Sequence, residues 1–149
     1  MMIIDGKKEA EILREEIKKE IDLLKSKNNK VPGLTVILIG DYAPSQIYVK
    51  NKEKSAKEVG INSNVIKFSK EVTEEEVLKK IEDLNKDAEV SGILVQLPLP
   101  PQINKEKIIN AVSHKKDVDG FHPINVGNLS HGHRALVPCT PLGCLYLIK

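Results

Sequence analysis

Leu34-Thr35-Val36-Ile37-Leu38-Ile39, closed by Gly40-Asp41, is the stretch on which the fold turns. It is short, β-branched and apolar at consecutive rather than alternate positions. A strand covered on both faces reads this way, as in a parallel sheet. Gly92-Ile93-Leu94-Val95-Gln96 repeats the texture, and Asn64-Val65-Ile66-Lys67-Phe68 is a weaker version. Around these runs the apolar period changes. Residues 7–27 carry Ile12, Leu13, Ile17, Ile21 and Leu24 among charges, an amphipathic helix with one face on a core. Asn28-Asn29 ends it, and Pro32-Gly33 marks a turn. A second helix is expected from Pro44 to Val59, with Pro44 in its first turn and Gly60 as its stop. Thr73-Glu74-Glu75-Glu76 is a capping-box pattern, and the helix behind it should bury Val77, Ile81 and Leu84. Strands separated by such helices need right-handed crossovers. The class is α/β, a three-layer α/β/α domain around a parallel sheet.

Beyond Gln96 the texture breaks. Leu97-Pro98-Leu99-Pro100-Pro101 is neither helix nor central strand. A short helix is expected over about 104–112. Residues 113–140 then hold all four His and two turn signals, Asp119-Gly120 and His122-Pro123, and read as one long irregular segment. Pro141 opens a last helix with Thr140 as its cap, and its apolar pattern (Leu142, Leu145, Tyr146, Ile148) runs up to Lys149. That short pattern reads as the start of a connection to a further domain.

Composition bounds the function. Across 149 residues, 23 Lys+Arg face 21 Asp+Glu for a net charge of +2, with 40% hydrophobic and 30% charged residues. That suits one domain with a real core. It gives no reason to expect a nucleic-acid or membrane partner. No apolar run approaches the roughly 20 residues of a membrane span. The start, Met1 to Gly6, resembles no secretory signal, and two Cys suggest reduced thiols in the cytoplasm.

In parallel α/β sheets, ligands bind beyond the carboxyl ends of the strands. The turns after Ile39 and Gln96 lie there. On the helix that follows the first of them, Tyr48 and Lys52 are four residues apart and share a face, with Ser45 three before Tyr48. Spacing alone suits a solvated lysine over a surface tyrosine; location suits a site. Gln96 reads either as an amide bonded to loop backbone or as one aimed into a cleft. Asp117 and Asp119 read as turn formers or as carboxylates that take paired donors from a heterocycle. His131-Gly132-His133 lacks a partner at ligand spacing and is read as polar loop, so no metal is expected. Cys139 and Cys144 fit no zinc or redox pattern and are expected to be ordinary buried thiols. No G-x-G-x-x-G, P-loop or G-x-S-x-G is present.

Four ordered motifs carry more than any one alone. They are Ser45-Gln-Ile-Tyr48-Val-Lys-Asn-Lys52, Gly92-Ile-Leu-Val-Gln96-Leu-Pro-Leu-Pro100, Lys116-Asp-Val-Asp119-Gly-Phe121 and Pro138-Cys-Thr-Pro141. Together they resemble the amino-terminal, folate-binding half of bifunctional methylenetetrahydrofolate dehydrogenase/cyclohydrolase, over essentially the whole chain. The resemblance implies a tetrahydrofolate-binding catalytic domain over 1–140, with 141–149 starting the helix towards a Rossmann-type NADP domain that this chain does not include. It implies that Tyr48 stacks on the aminobenzoyl group and that Lys52 is catalytic, above all in the cyclohydrolase step. Gln96 orients Lys52, and Asp119 accepts hydrogen bonds from the pterin. Ser45, Val95 and Leu97 lie beside them, and Thr140 lies near the nicotinamide of NADP or NAD. The family's homodimer is implied too, much of its contact being made by the domain outside this chain.

The implied chemistry places a methenyl cation beside Lys52. A like charge and desolvation both favour the neutral amine, which can act as a base towards water. Gln96, being neutral, orients that amine without favouring its protonation. Two other readings stand beside this one: a folate-binding module without turnover, and a non-enzymatic α/β interaction domain. Folate binding without hydrolysis marks the first; an exposed apolar patch without folate binding marks the second.

Overall fold

A computed structural model describes residues 4–28 and 30–148. Three strands, β1 (Gly33–Ile39), β2 (Asn62–Phe68) and β3 (Gly92–Val95), form a parallel sheet in the order β2-β1-β3. Among the described residues six helices accompany them: α1 (Gly6–Asn28), α2 (Ala43–Glu58), α3 (Glu74–Lys86), α4 (Lys105–Ala111), α5 (Pro123–Ser130) and α6 (Cys139–Ile148). The apolar run 36–39 of β1 has the expected cause, since it is the central strand and is covered on both sides. Its alternate residues enter two different cores. Ile37 and Ile39 pack with Val77, Ile81 and Leu84 of α3 and with Ile103 and Ile108 around α4. Val36 and Leu38 pack with Val49 of α2 and Leu94 of β3. Helices therefore lie on both faces, which makes the three layers.

Local signals act where they were read. Thr73 Oγ1 accepts from the Glu76 amide, and the Glu76 carboxylate accepts from the Thr73 amide, so both halves of the capping box are present. Pro44 sits in the first turn of α2, and Gly60 follows its end in the left-handed region at φ 90°.

Four expectations need correction. First, α1 does not lay a full apolar face on a core. Ile21 is buried and Ile17 half-buried, but Ile12, Leu13 and Leu24 are exposed. Among the described residues α1 packs extensively against none of the strands, so most of its apolar face has nothing over it. It ends at Asn28; Asn29, like Met1–Ile3 and Lys149, lies outside the described residues. Second, residues 113–140 are not wholly irregular, because α5 lies within them. His122-Pro123 is its start: His122 Nδ1 accepts from the Ile124 amide at 3.1 Å, and the proline occupies the first turn. The eight residues include Gly127 and have no apolar stripe, so periodicity could not find them. Third, α6 begins at Cys139, so Thr140 lies inside its first turn rather than capping it. Fourth, Cys139 and Cys144 are free but exposed, because α6 buries none of its residues. No helix among the described residues is long and apolar enough to cross a membrane.

These packing differences predict unequal mutational costs. Ile81→Ala, at a fully buried position, should destabilise by about 2–5 kcal/mol. Ile12→Ala, on the uncovered part of α1, should stay within about 0.5 kcal/mol. Urea unfolding of both variants measures the contrast.

Candidate active site

The carboxyl ends of β1 and β3 lie side by side, and the chain leaves them in two directions. After β1 it turns at Gly40 and enters α2. After β3 the Gln96 amide still donates to the Ile37 carbonyl at 2.9 Å, so Gln96 leaves the sheet in register with β1. The Leu97–Pro98 bond that follows is cis. The first turns of α2 and the Gln96–Leu97 corner thus share one edge of the sheet.

A chain of hydrogen bonds joins them. Ser45 is buried, and its Oγ donates to the Leu97 carbonyl at 3.4 Å. Gln96 Nε2 donates to the same carbonyl at 2.8 Å. With its NH2 group committed there, Gln96 turns Oε1 the other way, and Lys52 Nζ donates to it at 3.1 Å. The amide orientation is therefore set by two partners. A hydrogen bond to a charged donor of this kind is worth about 1.5–3 kcal/mol. Tyr48 lies one helical turn before Lys52 and is 62% exposed, so its ring is open to a ligand.

Asp119 completes the charged set. Burial pushes its carboxyl above the ordinary carboxylate range; nearby Lys52 opposes the shift, and Asp117 adds to it. Val95, Leu97 and Asp119, with Ile109 and Phe121, border a small, largely apolar cavity beside β3. Phe121 and Ile109 were not singled out by sequence. The first could have been, as an aromatic next to the Asp119-Gly120 turn. Asp117 is not a free acceptor. It is buried, and its Oδ2 accepts from the His122 amide at 2.8 Å and from Asn125 Nδ2 at 2.9 Å.

Gly120, at φ 67°, shows why this turn needs glycine. A Cβ there would lie 2.6 Å from the Leu136 carbonyl oxygen and 2.8 Å from the Pro138 nitrogen. The 136–138 segment therefore rests directly on the Asp119 turn. It leads to Cys139, whose Sγ donates to the Val118 carbonyl at 3.5 Å. Although Cys139 is exposed as a residue, its sulfur lies against the Val118 carbonyl, and partial loss of water there, with Asp119 and Asp117 against Lys52, pushes this thiol up. Thr140 follows it, exposed on α6. His131 and His133 stack at 6.2 Å on an exposed turn after α5, and no group of metal-ligating side chains occurs among the described residues.

The turn after β1 does not fit the pyrophosphate of a dinucleotide. It offers a single glycine, Gly40, and then Asp41, whose carboxylate would repel a pyrophosphate.

Comparisons with known proteins agree on one family. The family described as tetrahydrofolate dehydrogenase/cyclohydrolase, catalytic domain, matches residues 4–119. The chain is 62% identical over 149 residues to the bifunctional protein FolD of Pelagibacter ubique, covering 100% of this chain and 53% of that protein. It is 52% identical over 147 residues to FolD of Listeria innocua, covering 99% and 51%. The crystal structure of the bifunctional FolD methylenetetrahydrofolate dehydrogenase/cyclohydrolase of Campylobacter jejuni superposes with a TM-score of 0.97 at 47% identity, over 100% of this chain and 53% of that one. The Trypanosoma brucei enzyme, complexed with NADP cofactor and inhibitor, gives 0.94 at 33% identity, over 99% and 50%. The chain spans about half the length of the curated relatives it matches.

The raised Asp119 carboxyl has a stability consequence. The folded state holds this proton more tightly than the unfolded chain, so the contribution is present below the ordinary value of 3.8 and is lost as pH rises through the raised one. At neutral pH the ionised group is a cost. Asp119→Asn should therefore melt higher than wild type at neutral pH, with the gap closing below the ordinary value, as thermal melts at both pH values would read.

Proposed function

Because the chain belongs to the tetrahydrofolate dehydrogenase/cyclohydrolase catalytic-domain family, we propose that it is the folate-binding half of a bifunctional one-carbon enzyme. The whole protein would oxidise 5,10-methylenetetrahydrofolate to the methenyl compound and hydrolyse that to 10-formyltetrahydrofolate. The observation that carries this reading is the Lys52 amine held by the Gln96 amide at 3.1 Å, one turn from Tyr48.

Each residue has a task in the hydrolytic step. Tyr48 gives a flat, exposed face for the aminobenzoyl ring at little cost in conformational entropy. The Asp119 carboxylate accepts N–H donors from the pterin at the cavity bordered by Val95 and Leu97. That seats the one-carbon bridge near Lys52. The substrate is a cation there, and its charge together with the loss of water favours the neutral amine. Neutral Lys52 takes a proton from the water that adds to the methenyl carbon, or from the resulting adduct as the ring opens. Gln96 fixes the direction of the amine while adding no negative charge. Ser45 steadies the Leu97 carbonyl on which the Gln96 amide rests.

The dehydrogenase step needs NADP or NAD held from outside these 149 residues, since the turn after β1 does not fit a pyrophosphate. A cytoplasmic setting accords with two free thiols.

The test is calorimetry with a folate ligand, together with hydrolysis of methenyltetrahydrofolate by the 149-residue chain. Binding with turnover supports the reading; binding alone supports a module that needs its second half; neither overturns it. Where turnover is present, in this chain or in a full-length form, Lys52→Met should lower hydrolysis by about 10²–10⁴ while the ligand still binds. Hydrolysis at the wild-type rate in that variant would remove Lys52 from its role.

A further inference from the structure

Asn125, on α5, is buried to 3% exposure, and both its amide hydrogens and its carbonyl oxygen are engaged by loops of the site. Its Nδ2 donates to the Asp117 carboxylate at 2.9 Å and to the His114 carbonyl at 2.8 Å. Its Oδ1 accepts from the Leu136 amide at 3.4 Å. These three partners belong to the segment before the Asp119 turn, to that turn's own base and to the 136–138 segment. The last of these also rests against Gly120. The two loops thus touch at Gly120 and are tied together again at Asn125. Asp117 is held from a third side by the His122 amide, and Ile93 of β3 bridges to it along the sheet.

We propose that Asn125 is a positioning residue of the folate site: it clamps the 136–138 segment to the Asp117–Gly120 turn and so sets the place and the dryness of the Asp119 carboxylate. The proposal rests on the folate reading only in taking Asp119 as the acceptor for the ring; the clamp itself is ligand-independent. An aliphatic residue at 125 would take away the partner of the Leu136 amide and of the His114 carbonyl and leave Asp117 Oδ2 with the His122 amide alone, and buried groups that lose partners draw in water. The turn would loosen on the side where Gly120 is covered. Water reaching Asp119 would favour its charged form, as nearby Lys52 already does, against the opposing influence of Asp117.

The experiment follows the Asp119 carboxyl carbon by NMR titration in the 149-residue chain, in wild type, Asn125→Ala and Asn125→Ser. Wild type should titrate above the ordinary carboxylate range. Asn125→Ala should move Asp119 down towards it, and Asn125→Ser, which keeps a donor but cannot also reach Leu136, should move it part of the way. If Asn125→Ala does not fold, the serine variant decides. An Asp119 titration unchanged in a folded variant overturns the clamp. Calorimetry adds a second arm: Asn125→Ala should weaken folate binding roughly tenfold. The same substitution should do much less in an Asp119→Ala background, whereas an effect of equal size in both backgrounds contradicts positioning through Asp119. A wild-type chain that binds no folate would sink the folate reading while the titration still decides the clamp.

Discussion

A lysine amine and a glutamine amide meet at 3.1 Å because two parallel strands end together. β1 and β3 are neighbours, and the Gln96 amide pairs with the Ile37 carbonyl in the last rung before β3 gives way to the proline-rich corner. α2 starts just beyond β1, so its first turns must pass the same edge. Everything else in the site depends on this coincidence. Tyr48 is brought in by helical repeat from Lys52, and Ser45 by burial against Leu97. The sheet does no chemistry, but its register decides which side chains can touch.

The charge pattern around that edge is specific. Lys52 is met by a neutral partner, and the nearby acid, Asp119, is dried by burial rather than paired. A carboxylate in the place of Gln96 would hold the ammonium charged; an amide directs it without that consequence. Asp119 is instead kept as an acceptor with capacity to spare. Its neighbour Asp117 has spent Oδ2 on the fold, accepting from His122 and Asn125. Two acids two residues apart are thus divided between scaffold and site.

Much of this was legible in the sequence, for identifiable reasons. β1 is apolar on both faces over 36–39 because both faces are covered, and α3 carries both a capping box and a helical stripe. The neighbourhood of Tyr48 and Lys52 followed from helical repeat alone. The long-range geometry was legible only through the family resemblance, which implied that Gln96 orients Lys52: nothing local reveals that Gln96 turns its oxygen to Lys52, since that depends on Leu97 accepting from its nitrogen. The division of labour between Asp117 and Asp119 was equally hidden, because Asn125 acts from a short helix with no apolar period. α1 misled in the opposite sense: a good amphipathic pattern says that a face is apolar, not that another element covers it. The thiols misled likewise, since α6 leaves all its residues uncovered.

The most direct test of the central claim exchanges the neutral partner for a charged one of nearly the same shape. Gln96→Glu, in a form of the protein that hydrolyses methenyltetrahydrofolate, should lose rate at neutral pH and regain it as pH rises, because the carboxylate keeps Lys52 protonated until more alkaline conditions. A pH–rate profile that coincides with wild type would mean that the charge state of Lys52 does not govern the reaction, and the account built on the Lys52–Gln96 pair would fail.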